Sequence, residues 1–236
     1  MKLTTVLFDL DGTLLPMDQI VFVKAYCDLL ARRMAPRYDP KTLIDALWEG
    51  TFAMMENDGS KTNEEAFWEI FRRRFGNRVM EDLPLFEAFY YTDFEKARSS
   101  CGFTEHAATT LALCRELGLR TVLATNPVFP AVATQARIRW AGLAPEDFSF
   151  VTSYENSRFC KPDPRYYREI LDRMDLRPEE CLMVGNDVKE DMSTRELGMR
   201  VFLLTPCMIN KDEEDISVYP HGDFPELWQF LRNEAS

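Results

Sequence analysis

A chain of 236 residues, 46% hydrophobic and 28% charged, has the composition of an ordinary globular protein with room for a full core and one accessory module. Its 28 basic and 39 acidic residues leave a formal charge of −11, which repels nucleic-acid backbones and anionic lipid surfaces at long range. No run of about 18 apolar residues is present, and the apolar residues Val6, Leu7 and Phe8 stop at Asp9, so neither a spanning helix nor a signal peptide is expected.

Six cysteines without close pairing read as free thiols of a reducing compartment, and the expected location is the cytoplasm. His106 and His221 stand far apart and give little support to a histidine zinc site.

Residues 3–8 form a short apolar run ended by Asp9-Leu10-Asp11-Gly12-Thr13, the pattern of a buried strand feeding a tight turn. From residue 17 to 100 the periodicity turns helical and aromatic. Thr62 and Glu65 fit a capping box ahead of a stripe of Phe67, Ile70, Phe71 and Phe75, with similar stripes over 20–34, 43–55 and 85–97. Beyond that insert the chain alternates. Helices are expected at 105–117, 131–141, from Pro164 behind an Asp163 cap, up to Gly198, and at 225–233. Strands are expected at 120–125, 148–152, 181–184 and 200–204, while the charged stretch 210–223 reads as a solvated loop.

Alternation of this kind predicts an α/β fold, a doubly wound parallel sheet in a Rossmann-like core made of residues 1–16 and 101–236, with residues 17–100 as a small all-helical domain. Ligands of such folds bind beyond the carboxyl ends of the strands. The polar residues that leave those ends should therefore gather in space: Asp9 and Asp11, Thr125 and Asn126, Asn186 and Asp187, with Lys161 on a longer loop.

Two carboxylates at one strand exit suit a hard cation such as Mg2+, which takes oxygen ligands and keeps several waters, although Asp-Gly alone is also plain turn chemistry. The whole string Asp9-Leu10-Asp11-Gly12-Thr13 after an apolar strand resembles the first motif of the haloacid dehalogenase-like superfamily. Thr125 and Asn126 resemble its second motif, Lys161 before Pro162 its third, and Gly185-Asn186-Asp187 with Asp191 its fourth. These matches cover residues 3–13 and 105–205, and the helical insert looks like the family's small cap.

The resemblance implies that Asp9 is the nucleophile and forms an aspartyl-phosphate, that Asp11 protonates the leaving oxygen, and that Thr125, Asn126 and Lys161 hold the phosphoryl group. Relatives that break carbon–halogen bonds usually lack an acid at the place of Asp11, so its presence favours phosphate esters. The implied metal ligands are Asp9, Asp11 and either the Asn186 carbonyl or Asp187, with Asp187 preferred because it is charged. Many relatives carry an acid where Asn186 stands. Asp191 is expected either to order a metal-bound water or Lys161, or to face solvent on the following helix.

The expected activity is a Mg2+-dependent phosphatase for a small phosphorylated metabolite. A sugar-phosphate mutase would use the same core, a phosphorylatable signalling protein would carry its acceptor acid on a later strand, and a non-catalytic phosphate-binding protein is suggested by Asn186. Trp48, Phe52, Trp68 and Tyr90 of the insert are expected to be core rather than specificity determinants. No feature of the sequence fixes the oligomeric state.

Overall fold

In a computed structural model, which describes residues 2–235, the strands β1 (Thr5–Phe8), β2 (Arg120–Leu123), β3 (Phe150–Val151), β4 (Cys181–Gly185), β5 (Arg200–Leu204) and β6 (His221–Gly222) form one parallel sheet in the order β3-β2-β1-β4-β5-β6. The central β1 is buried along its whole length because both faces of the sheet are covered. Its alternate side chains divide between two cores: Val6 and Phe8 join the larger one, and Leu7 points into the smaller.

The larger core lies under α5 (His106–Glu116), α6 (Ala131–Trp140) and α8 (Phe224–Ala235), and the smaller under α7 (Pro164–Met174). In α7 the Asp163 cap accepts from the Arg165 N–H ahead of Tyr166, Tyr167, Ile170 and Leu171, all buried.

From β1 the chain runs outward through β2 to β3, then returns to β4 on the other side of β1. This reversal puts the switch point of the sheet at the carboxyl ends of β1 and β4, where the Asp9 N–H donates to the Val184 carbonyl at 2.9 Å.

The insert is helical as the periodicity requires: α1 (Gln19–Met34), α2 (Pro40–Met55), α3 (Asn63–Phe75) and α4 (Leu83–Tyr91), with 3-10 turns at Asn77–Asp82 and Asp93–Ser100. Asp18 and Asp39 cap α1 and α2, and the Thr62/Glu65 capping box starts α3. The chain leaves and re-enters the core side by side, with Met17 bridging Cys101 and the Gly102 N–H donating to the Pro16 carbonyl at 2.7 Å. Packing against the core is aromatic, Phe94 stacking on Trp140 at 5.1 Å and Tyr26 meeting Phe129 at 5.2 Å.

Three expectations need correction. The segment ending at Gly198 is a 3-10 turn, Met192–Leu197, and not an α-helix. Asp191 is drawn inward instead of starting a helix, and its carbonyl accepts from both the N–H and the hydroxyl of Thr194, tightening the chain to three-residue bonding. The expected loop 210–223 ends in β6, whose two residues are too short to carry a pattern. In α2, Trp48 and Phe52 are 44% and 56% exposed, so they are not core, whereas Trp68 is buried and Tyr90 half-buried. All six cysteines are free thiols, and Cys114, Cys160 and Cys181 are buried. No helix among the described residues is long and apolar enough to cross a membrane.

Candidate active site

The carboxyl ends of β1, β2 and β4 bring together residues from distant parts of the sequence. Asp9 is the first residue beyond β1 and is buried. The Lys161 ammonium, 1% exposed, donates to Asp9 Oδ1 at 2.9 Å and to Asp191 Oδ1 at 2.6 Å. The Thr13 hydroxyl lies 3.2 Å from Asp9 Oδ2 and 3.0 Å from Asn186 Oδ1, joining the two chain segments. Burial pushes the Asp9 carboxyl up to about 7; Lys161 opposes this, while Asp191 and Asp11 add repulsion. For Lys161 burial works downward, yet Asp191 and Asp9 outweigh it and hold the amine well above its ordinary range, as an ammonium.

The turn after β1 depends on one glycine. Gly12 has φ +92°, and a Cβ there would lie 2.4 Å from Asn186 Nδ2. The amide of Asn186 is fixed from its other end by donation to the Cys207 carbonyl at 2.7 Å. Its backbone carbonyl accepts from the Ile209 N–H at 2.8 Å, so the loop after β5 braces the loop after β4. Gly185 is required by the same crowding, since a Cβ would meet Asp191 Oδ2 at 2.1 Å.

Of the two alternatives at the fourth motif, Asn186 has its side-chain oxygen in the contact chain with Thr13 and Asp9. The Oδ1 of the charged Asp187, preferred on sequence, is turned into its own loop, accepting from the Lys189 and Glu190 N–H groups at 2.9 Å each. Asp191 does not face solvent: it is 1% exposed and accepts from Lys161 and from the Asp187 N–H.

Thr125, also buried, follows β2 with its backbone carbonyl accepting from the Tyr166 hydroxyl and the Thr152 hydroxyl, both at 2.8 Å. Asn126, expected to touch a phosphoryl group, bonds to two other residues of the site. Its Oδ1 accepts from the Lys161 N–H at 3.3 Å, and its Nδ2 donates to the Glu190 carboxylate at 3.3 Å. Burial raises the Glu190 carboxyl to about 7, against the pull of Lys161.

Sequence reasoning missed Glu190 and Arg137. Arg137 of α6 is fully buried and forms an ion pair with Asp11 Oδ2. A signal was available, because Arg137 sits in the apolar stripe of Ala133, Ala136 and Trp140, where a charge demands a buried partner. Among the described residues no three Asp, Glu, His or Cys side chains converge in a metal-holding cluster; the Thr13 hydroxyl meets one acid, Asp9, and one amide, Asn186.

A buried carboxylate bonded to an ammonium, with a second acid two residues on, is an arrangement suited to covalent transfer of a phosphoryl group. The sequence profile of haloacid dehalogenase-like hydrolases matches residues 3–196. The chain is 29% identical to the phosphoserine phosphatase of Thermus thermophilus, over 94% of this chain and 96% of that protein. It is 23% identical to a putative pyrophosphatase, PpaX, of Caldanaerobacter subterraneus subsp. tengcongensis, over 98% of this chain and 94% of that one. A 2-haloacid dehalogenase from Pseudomonas syringae pv. Tomato has the same fold, with TM-score 0.65 and 20% identity over 98% of this chain and 99% of that one.

Proposed function

The chain belongs to the haloacid dehalogenase-like hydrolase family, and on that footing we propose that it is a Mg2+-dependent phosphatase of a small phosphorylated metabolite, working through a phosphorylated Asp9. The observation that carries this reading is the Lys161 ammonium bonded at once to Asp9 and Asp191 at the switch point of the sheet, with Asp11 two residues beyond the nucleophile.

Asp9 attacks phosphorus, the bond from phosphorus to the ester oxygen breaks, and Asp11 gives that oxygen its proton. Water then attacks the aspartyl-phosphate, Asp11 takes the water's proton, and phosphate leaves with Asp9 regenerated. Lys161 balances negative charge on Asp9 and on the phosphoryl oxygens in a site that water reaches poorly. Thr125 offers its hydroxyl to the phosphoryl group, and Asn126 acts on Lys161 from behind. Residues 17–100 serve as the cap that closes over the substrate and selects it.

The donor set fits a hard divalent cation. Asp9, Asp11, Asp187, Glu190 and Asp191 crowd around two cations, Lys161 and Arg137, and burial with mutual repulsion holds Asp9 and Glu190 near neutrality. Asp9 and Asn186 with their side chains, and Asp11 through its backbone carbonyl, would hold Mg2+, which would neutralise phosphoryl oxygens and the excess carboxylates. A neutral third ligand makes the site rely more heavily on placement. For Gly12→Ala, the left-handed backbone costs about 1 kcal/mol. Displacement of Asn186 should in addition raise the Mg2+ concentration for half-maximal activity by roughly tenfold. A Mg2+ titration of steady-state rate measures this, and an unchanged midpoint refutes the placement of Asn186.

The reading itself is tested by incubating the protein with a panel of phosphomonoesters and Mg2+ and assaying inorganic phosphate. Release should require Mg2+, stop with EDTA, and leave a hydroxylamine-labile phosphoryl group on acid-quenched protein. No release from any ester, or formation of an isomeric sugar phosphate in its place, overturns it.

A further inference from the structure

We propose that Arg137 positions Asp11 for proton transfer, and that its contact with Phe22 ties the position of that acid to the helical insert. The inference rests on the reading of Asp11 as the proton donor, and it assigns a task to a residue outside the four strand-end segments.

Arg137 projects from α6 into the interior with no exposed surface. Its Nη1 donates to Asp11 Oδ2, its Nη2 to the Thr134 hydroxyl at 3.3 Å, and its Nε to the Ala133 carbonyl at 3.4 Å. The guanidinium also lies over the Phe129 ring at 4.5 Å and near the Phe22 ring at 6.0 Å. Phe129 belongs to the loop that leaves β2 through Thr125 and Asn126, and Phe22 belongs to α1 of the insert. One planar cation therefore touches the acid, the β2 loop and the insert.

The pairing also makes the two oxygens of Asp11 unequal. Oδ2 accepts from Arg137 and has no room for a proton of its own on that side. Among the described residues, Oδ1 is the one buried side-chain polar atom without a hydrogen-bond partner. A buried polar atom left unpaired costs free energy, and a functional role is one reason for such a cost to be retained. Oδ1 is thus the atom that carries the proton to the leaving oxygen and later receives one from water. Arg137 is less suited to binding the substrate phosphate itself, because all three of its nitrogens are engaged within the protein.

The test compares kcat/KM, which reports steps through departure of the leaving group, for an ester that needs a proton, n-butyl phosphate, and one that does not, p-nitrophenyl phosphate. In Arg137→Met the value for n-butyl phosphate should fall by ~10–100-fold and that for p-nitrophenyl phosphate by less than about threefold. Arg137→Lys should lie between wild type and Arg137→Met with the same preference between esters, and it serves alone if the methionine variant does not fold, as thermal unfolding will show. Equal losses on the two esters, in whichever variants fold, overturn the proposal in favour of a structural or phosphate-binding role. Asp11→Asn is run alongside. If it too affects both esters alike, the reading of Asp11 as proton donor fails; if it discriminates and the Arg137 variants do not, only the role of Arg137 fails.

Discussion

Asp9→Asn should abolish turnover of every phosphate ester, by at least ~10³-fold, while leaving the protein folded and, without metal, more stable than wild type at pH 8. The loss follows from chemistry, since an amide oxygen is a poor nucleophile toward phosphorus and cannot form the aspartyl-phosphate. The gain in stability follows from electrostatics. Asp9 and Asp191 share one ammonium, so with both ionised the buried trio carries an uncompensated negative charge.

The folded Asp9 carboxyl sits at about 7, above its ordinary 3.8, through burial first and repulsion from Asp191 and Asp11 second. A group raised in this way stabilises the fold below its unfolded value, and the contribution is lost as pH rises through the folded one. Metal-free wild type should therefore lose stability between about pH 4 and 7 from this group, while Asp9→Asn does not. Glu190, also near 7, is itself raised in part by Asp9, so its loss of stability with pH is smaller in the variant and widens the same gap. Thermal unfolding in EDTA should show a gap between the two melting temperatures that opens between about pH 4 and 7 and levels off above, by several degrees. Added Mg2+ should raise wild type alone. A variant that still releases phosphate, or a gap independent of pH, contradicts the assignment.

How much of this site the sequence discloses depends on where the partner of each residue lies. Asp9, Asp11, Gly12 and Thr13 fall within one five-residue string at a strand exit, and a local reading places them at the rim before any contact is known. Lys161 is legible only by its place before a proline on the loop after β3, because its partners are 152 and 30 residues away. Arg137 and Asp11 are 126 residues apart, and neither segment names the other. Between the neighbours Asn186 and Asp187 the sequence offers only a difference in charge, and a preference for charge led to Asp187. The loop after β5 holds Asn186 by its amide and by its backbone carbonyl, contacts that the local sequence does not announce. Parallel strands with buried faces are easy to see in residues 5–8 and 181–184, where the apolar runs are continuous. The two residues of β6 and the 3-10 turn before Gly198 arise from tertiary demands on short segments that have no periodicity to display.

Lys161→Met should be damaging on two separate scales. The substitution keeps an apolar stem of similar length and leaves Asp9 and Asp191 facing each other with no cation, a broken buried ion pair of the kind that costs about 3–5 kcal/mol. For a chain of this size each kcal/mol is worth roughly 2–4 °C, so a fall in melting temperature on the order of 10 °C is expected. Activity should drop by ~10²–10³-fold, the range for loss of one preorganised electrostatic group.

The two scales separate in the double variant Lys161→Met with Asp191→Asn. Neutralising Asp191 removes the repulsion, so most of the melting temperature should return. The rate should not, because Asp9 and the transferred phosphoryl oxygens still lack their ammonium. Recovery of both in the double variant means that Lys161 is only a structural counterion for Asp191. Recovery of neither means that the amine supports the fold through contacts other than the carboxylates, Tyr167 at 6.0 Å from Nζ being the neighbour to examine first. Stability restored without activity is the outcome that makes Lys161 a charge placed for the phosphoryl group.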